Sequence, residues 1–146
     1  MSIANDRPPI RLTRAEVAFV WLRRIAAIYC LLVGIGYWVR LIGVYPGALW
    51  RFDLMPDDWK AAATALAVLF PVAATGLWLL APWGPVIWVA AAAIESIIHT
   101  VFADTFGFKP ILAVGHGLFL ASYVGLRLTI FWQQHRAEEL ARTGQI

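Results

Sequence analysis

The chain is predicted to be an all-α polytopic membrane protein, a single bundle of four transmembrane helices. Three observations carry this. Apolar residues make up 61% of the 146 positions and charged residues only 14%, with a mean hydropathy of +0.70, more than the core of a small soluble domain requires. No charged residue occurs between Ala61 and Ile94. The apolar runs are separated by short segments rich in Pro, Gly and Trp, each long enough for a helix that rises about 1.5 Å per residue to cross a core about 30 Å thick.

Residues 1–12, with Pro8-Pro9 and mixed charge, are expected to form a disordered cytoplasmic tail. Thr13-Arg-Ala-Glu16 has the spacing of a capping box, in which the Thr hydroxyl and Glu carboxylate satisfy backbone N–H groups at a helix start. The first span is expected over residues 25–44, stopped by Tyr45-Pro46-Gly47. Trp50, Arg51, Phe52 and Asp53 suit the headgroup region, and Asp57-Asp58 suit the positive end of the next helix. Spans two to four are expected over 60–80, with Pro71 as a kink, over 85–103 behind Pro85, and over 110–128 behind Pro110. Residues 133–146 form a polar tail, and the helical core covers 13–132.

Arginines flank the spans unevenly. With both termini inside, Arg7, Arg11, Arg14, Arg23, Arg24, Arg127, Arg136 and Arg142 face the cytoplasm, against Arg51, Lys60 and Lys109 outside. That bias orients both termini inward, in a bacterial inner membrane. It also accounts for the net charge of +3, so nucleic acid is not an expected partner. The lone Cys30 supports neither a disulfide framework nor a thiolate metal site within one chain. Ala26, Cys30 and Gly34 on the first span, and Ala113, Gly117, Ala121 and Gly125 on the fourth, form small-residue ladders at which helices can approach closely, within the bundle or across a subunit contact.

Against this background Arg40, Glu95, His99 and His116 stand out. Ionisable groups are costly in lipid and mark function or a polar fastening. At 1.5 Å per residue Arg40 lies about 24 Å, Glu95 about 15 Å and His99 about 21 Å from the cytoplasmic edge, and His116 about 9 Å from the outer edge. The four therefore share a depth band. One reading is an Arg40–Glu95 ion pair with both histidines as hydrogen-bond partners, which sets bundle register. A second is a small proton-coupled transporter in which Glu95 carries the proton and a histidine assists. A third is a haem- or quinone-binding subunit using His99 and His116. The Glu95-x-x-x-His99 spacing lacks the second histidine of the zinc hydrolase motif, and no Ser-centred elbow or phosphate-binding Gly loop occurs. No enzyme activity, cofactor or metal is expected. The chain reads as a structural or accessory component, with the lipid bilayer and a membrane-protein partner or a second copy of itself as partners.

Arg51-Phe-Asp-Leu-Met-Pro56, Pro71-Val-Ala-Ala-Thr-Gly-Leu-Trp78, Trp83-Gly-Pro-Val-Ile-Trp88 and the Glu95 segment resemble a family of small, uncharacterised four-helix inner-membrane proteins from alphaproteobacteria. The layout, with Gly-Leu-Trp in the second span, is also similar to DoxX-like membrane proteins. Neither resemblance implies catalytic residues.

Overall fold

A computed structural model describes residues 13–144, and the tail expected over 1–12 lies outside them. The described chain is helical throughout: α1 Arg14–Ile42, α2 Asp57–Trp78, α3 Gly84–Thr100, a single turn α4 Ala103–Phe106, and α5 Pro110–Arg142. The capping box forms as the spacing predicts. Glu16 N–H donates to Thr13 Oγ1 at 3.2 Å, and Thr13 N–H donates to Glu16 Oε2 at 2.8 Å. At its far end α1 stops at Gly43 rather than at Tyr45-Pro46-Gly47. Gly43 takes a left-handed φ of 80° and returns its N–H to the Val39 carbonyl, a conformation that costs glycine little. In the following loop Arg51 donates two hydrogen bonds to Asp53, which hold that exposed carboxyl below its ordinary range.

The helices close a ring in the order α1, α2, α3, α5, each packed on two neighbours. The largest number of buried residues comes from α2, which contributes Ala63, Leu66, Phe70, Ala73 and Leu77 to the core. It runs through Pro71 without interruption, and the Pro71 ring lies directly against Gly34 of α1. A Cβ at Gly34 would meet Pro71 Cδ at 2.6 Å. The first small-residue ladder thus belongs to the bundle interior, since Ala26, Cys30 and Gly34 are all buried. Gly76 and Gly84 make an equally close approach between α2 and α3.

Three helices, α1, α2 and α5, are long and apolar enough to cross a membrane, while α3 is apolar but only 17 residues long. The third span expected over 85–103 is shorter because the chain tightens after Thr100. Val101 and Phe102 both donate to the Ile97 carbonyl, and α4 then leads to Gly107 at φ 81°. Conversely, α5 continues beyond residue 128 through the expected tail to Arg142, about 50 Å in all at 1.5 Å per residue.

Two cation–aromatic layers bracket the apolar part of the bundle. At one end Arg24 lies over Trp78 and Trp21, and Arg23 caps the end of α2, its guanidinium donating to the carbonyls of Leu80 at 3.0 Å and Ala81 at 2.6 Å. At the other end Arg40 lies over Trp50 and Trp59. Along α1 these layers stand about 25 Å apart, near the thickness of a hydrocarbon core.

Because α1 and α2 touch through Gly34, Gly34→Ala should push them apart and lower stability by about 1–3 kcal/mol. Gly115→Ala, where an added methyl meets nothing, should be neutral or mildly stabilising. Unfolding of the detergent-solubilised protein against increasing denaturing detergent measures both, and equal behaviour of the two variants would contradict this packing.

Candidate functional site

Glu95 lies at the centre of the ring, 2% exposed. It follows Ala91 and Ala92 on the buried face of α3, where small side chains leave room for groups from other helices. Both carboxylate oxygens are engaged. From α1, across the diagonal of the ring, the Tyr37 hydroxyl donates to Oε1 at 2.8 Å. From α5, His116 Nε2 lies 2.8 Å from Oε2, and that ring is itself only 5% exposed. The fourth helix supplies an apolar floor. The Phe70 ring stacks at 6.2 Å on Tyr37 and at 6.1 Å on His116, while Tyr29 presents its ring edge-on to His116. Every long helix therefore contributes at least one side chain to a single centre.

The expected Arg40–Glu95 ion pair does not form. Arg40 lies two residues from the end of α1, and its guanidinium rests over the faces of Trp50 at 4.9 Å, Tyr37 at 5.6 Å and Trp59 at 5.7 Å. Three aromatic faces attract the cation near the boundary, and Tyr37, one turn below, supplies Glu95 with an uncharged donor in its place. His99 shares the buried face of α3 with Glu95 but bonds elsewhere. Its Nδ1 lies 3.1 Å from the Gly107 carbonyl, and Trp59 Nε1 donates to the Thr105 carbonyl nearby. His99 thus ties down the turn between α3 and α5. Of the four residues singled out in the sequence, Glu95 and His116 meet directly, while Arg40 and His99 border the same cleft as Glu95.

That cleft, about 400 Å³, runs from Glu95 and Tyr37 toward Arg40, Trp50 and Lys109. A separate groove of about 300 Å³ between α3 and α5 starts at His116 and Ser96 and leads the opposite way, toward Trp88 and Leu120. The Glu95–His116 pair stands between the two. Among the described residues, the second nitrogen of His116, Nδ1, is buried without a partner, as is Trp88 Nε1.

The residues 17–134 match the model of a family of unknown function, DUF6163. The chain belongs to that family. No curated protein and no solved structure matches it. The match covers α2 and α3 entirely, most of α1 and α5, and the Tyr37–Glu95–His116 centre of this DUF6163 chain, and it bears out the resemblance to an uncharacterised family.

Three contributors escaped the sequence reading. Tyr37 and Phe70 sit among apolar residues at helical spacing and read as ordinary core. Tyr37, three residues before Arg40, shares its helix face, which was the one available hint. Arg23 read as an orienting charge, yet it caps the α2 terminus.

Tyr37→Phe removes one of the two groups that satisfy Glu95 and should lower stability by about 0.6 kcal/mol, the average for hydrogen bonds between membrane helices, and by no more than about 1.7 kcal/mol. Glu95→Ala should cost more, since it leaves Tyr37 and His116 both unpaired. Unfolding titrations in detergent check the order, and a Tyr37→Phe loss as large as that of Glu95→Ala would place the main fastening elsewhere.

Proposed function

We propose that this chain is a non-enzymatic integral protein of a bacterial inner membrane, both termini cytoplasmic, that serves as an accessory component of a membrane assembly. One observation carries the reading: α5 is fastened inward chiefly through His116 and leaves its second face uncovered. A Cβ at Gly117 or Gly125 would meet nothing, and Ala121 is exposed on the same ladder. Small-residue ladders allow close helix contact in lipid, so this face suits a helix of a partner or of a second copy. Glu95, Tyr37 and His116 then serve to hold α5 in the orientation that presents it. The test is co-purification in mild detergent. Gly117→Leu with Gly125→Leu should abolish association with a partner or with another copy while leaving thermal stability unchanged, and retained association would count against the proposal.

A second reading, proton-coupled transport through Glu95, is favoured by a specific observation. Among the described residues no Lys or Arg forms a salt bridge with Glu95. Its partners are a phenol and an imidazole, and imidazole is a side chain much used as a proton shuttle. The titratable groups around the pair are Tyr29, Cys30 and Tyr37 from α1 and His99 on α3, with Arg40 and Lys109 further along the cleft; α2 places Phe70 against it. The pair also separates two clefts that lead in opposite directions, an arrangement suited to passing a proton between them. In proteoliposomes under a pH gradient, Glu95→Gln should abolish proton-linked flux without loss of fold. Wild-type protein that moves no protons would remove this reading. The haem- or quinone-binding alternative draws less support, because His99 and His116 are engaged separately, one with Gly107 and the other with Glu95.

A further inference from the structure

The cleft that leads outward from Glu95 has a rim unlike its floor. Arg40 and Lys109 both border it, from the end of α1 and from the residue before α5. Among the described residues neither forms a salt bridge, although Arg51, Lys60 and His135 each do. Arg40 is positioned but not satisfied. Aromatic faces hold its guanidinium on three sides, yet its N–H groups donate to no acceptor among the described residues, in contrast to Arg23 and Arg51. A guanidinium in that condition presents a planar donor fork matched to a phosphate or carboxylate. Glu95, on the floor, forms no salt bridge with either cation among the described residues; its oxygens bond to Tyr37 and His116 instead.

Apart from His99 beside Glu95, the rest of the lining is aliphatic or aromatic. Val33, Gly36, Val39 and Leu112 continue the cleft from the two cations along α1 and α5, and a side chain at Gly36 would meet nothing. Tyr45 and Trp50, at the level of Arg40, are the ring types that favour the boundary between hydrocarbon and headgroups. The site thus places two positive charges at headgroup level above an open apolar channel.

We propose that this cleft binds an anionic phospholipid, its phosphate held between Arg40 and Lys109 and an acyl chain laid along Val33, Gly36 and Leu112. The proposal rests on the membrane reading of α1 and α5 and not on either proposed function. Charge complementarity decides the occupant: a zwitterionic headgroup brings its own cation to the two already present, whereas an anionic one does not.

The full chain, reconstituted in phosphatidylcholine nanodiscs doped with phosphatidylglycerol, is released into mild detergent, and retained lipid is counted by native mass spectrometry. Wild type should retain phosphatidylglycerol in preference to phosphatidylcholine. Arg40→Gln and Lys109→Gln should each weaken that preference about fivefold, the effect of one interfacial cation, while Arg136→Gln on the far polar stretch of α5 should leave it intact. Lys109 is exposed, so its variant decides the matter even if Arg40→Gln fails to fold. Equal retention of the two lipids, or a preference unaffected by Lys109→Gln, overturns the proposal. Displacement of phosphatidylglycerol by millimolar inorganic phosphate would also overturn it, since the cleft would then be a site for a soluble anion.

Discussion

A carboxylate buried among apolar helices must be satisfied by protein, and the central geometry of this bundle follows from that constraint. Glu95 takes a hydroxyl from α1 and an imidazole from α5, while α2 seals the arrangement with one aromatic ring. The outcome fixes more than one contact. The α1 to α3 bond crosses the diagonal of the ring, so it sets the depth of two helices that are not principal neighbours. The α3 to α5 bond sets the rotation of a helix that otherwise buries little beyond Ile130.

Stability is distributed unevenly around that centre. On one side α1, α2 and α3 approach through glycine and alanine, with Gly34 under Pro71 and Gly76 against Gly84. Dispersion between closely fitted surfaces does the work there, as it must where lipid removes the hydrophobic drive between helices. On the other side α5 relies on His116, on aromatic contacts of Phe119 and Tyr123 with Trp88, and on Tyr123 with Phe19. This asymmetry leaves a closely packed three-helix unit and a fourth long helix available for other contacts. Membership of a family of unknown function transfers no activity, so the functional readings rest on this geometry.

Much of the architecture was legible in the chain. Apolar runs, the Thr13–Glu16 box, Asp57-Asp58, Pro85 and Pro110 mark helices close to where they occur, because caps and proline act through local backbone chemistry. Helix ends that depend on contacts further along the chain were less legible: α3 ends early in a turn that His99 helps to hold through Gly107. The site was half legible. Depth counting grouped Glu95 with His116, which do meet, but depth says nothing about direction around a helix, and so it also suggested Arg40 as the counter-ion.

The sequence alone determined that the chain is helical and apolar enough to cross a membrane, and that a few ionisable groups share one level within it. Hydropathy and helical rise are properties of a single segment, and a single segment suffices to read them. Only the tertiary structure decided which of those groups meet. Pairing depends on the rotation of each helix about its axis, which packing at Gly34, Gly76 and Gly84 sets. It also depends on competition among partners, in which the aromatic rings of Trp50, Tyr37 and Trp59 draw Arg40 to the boundary and leave Glu95 to Tyr37 and His116.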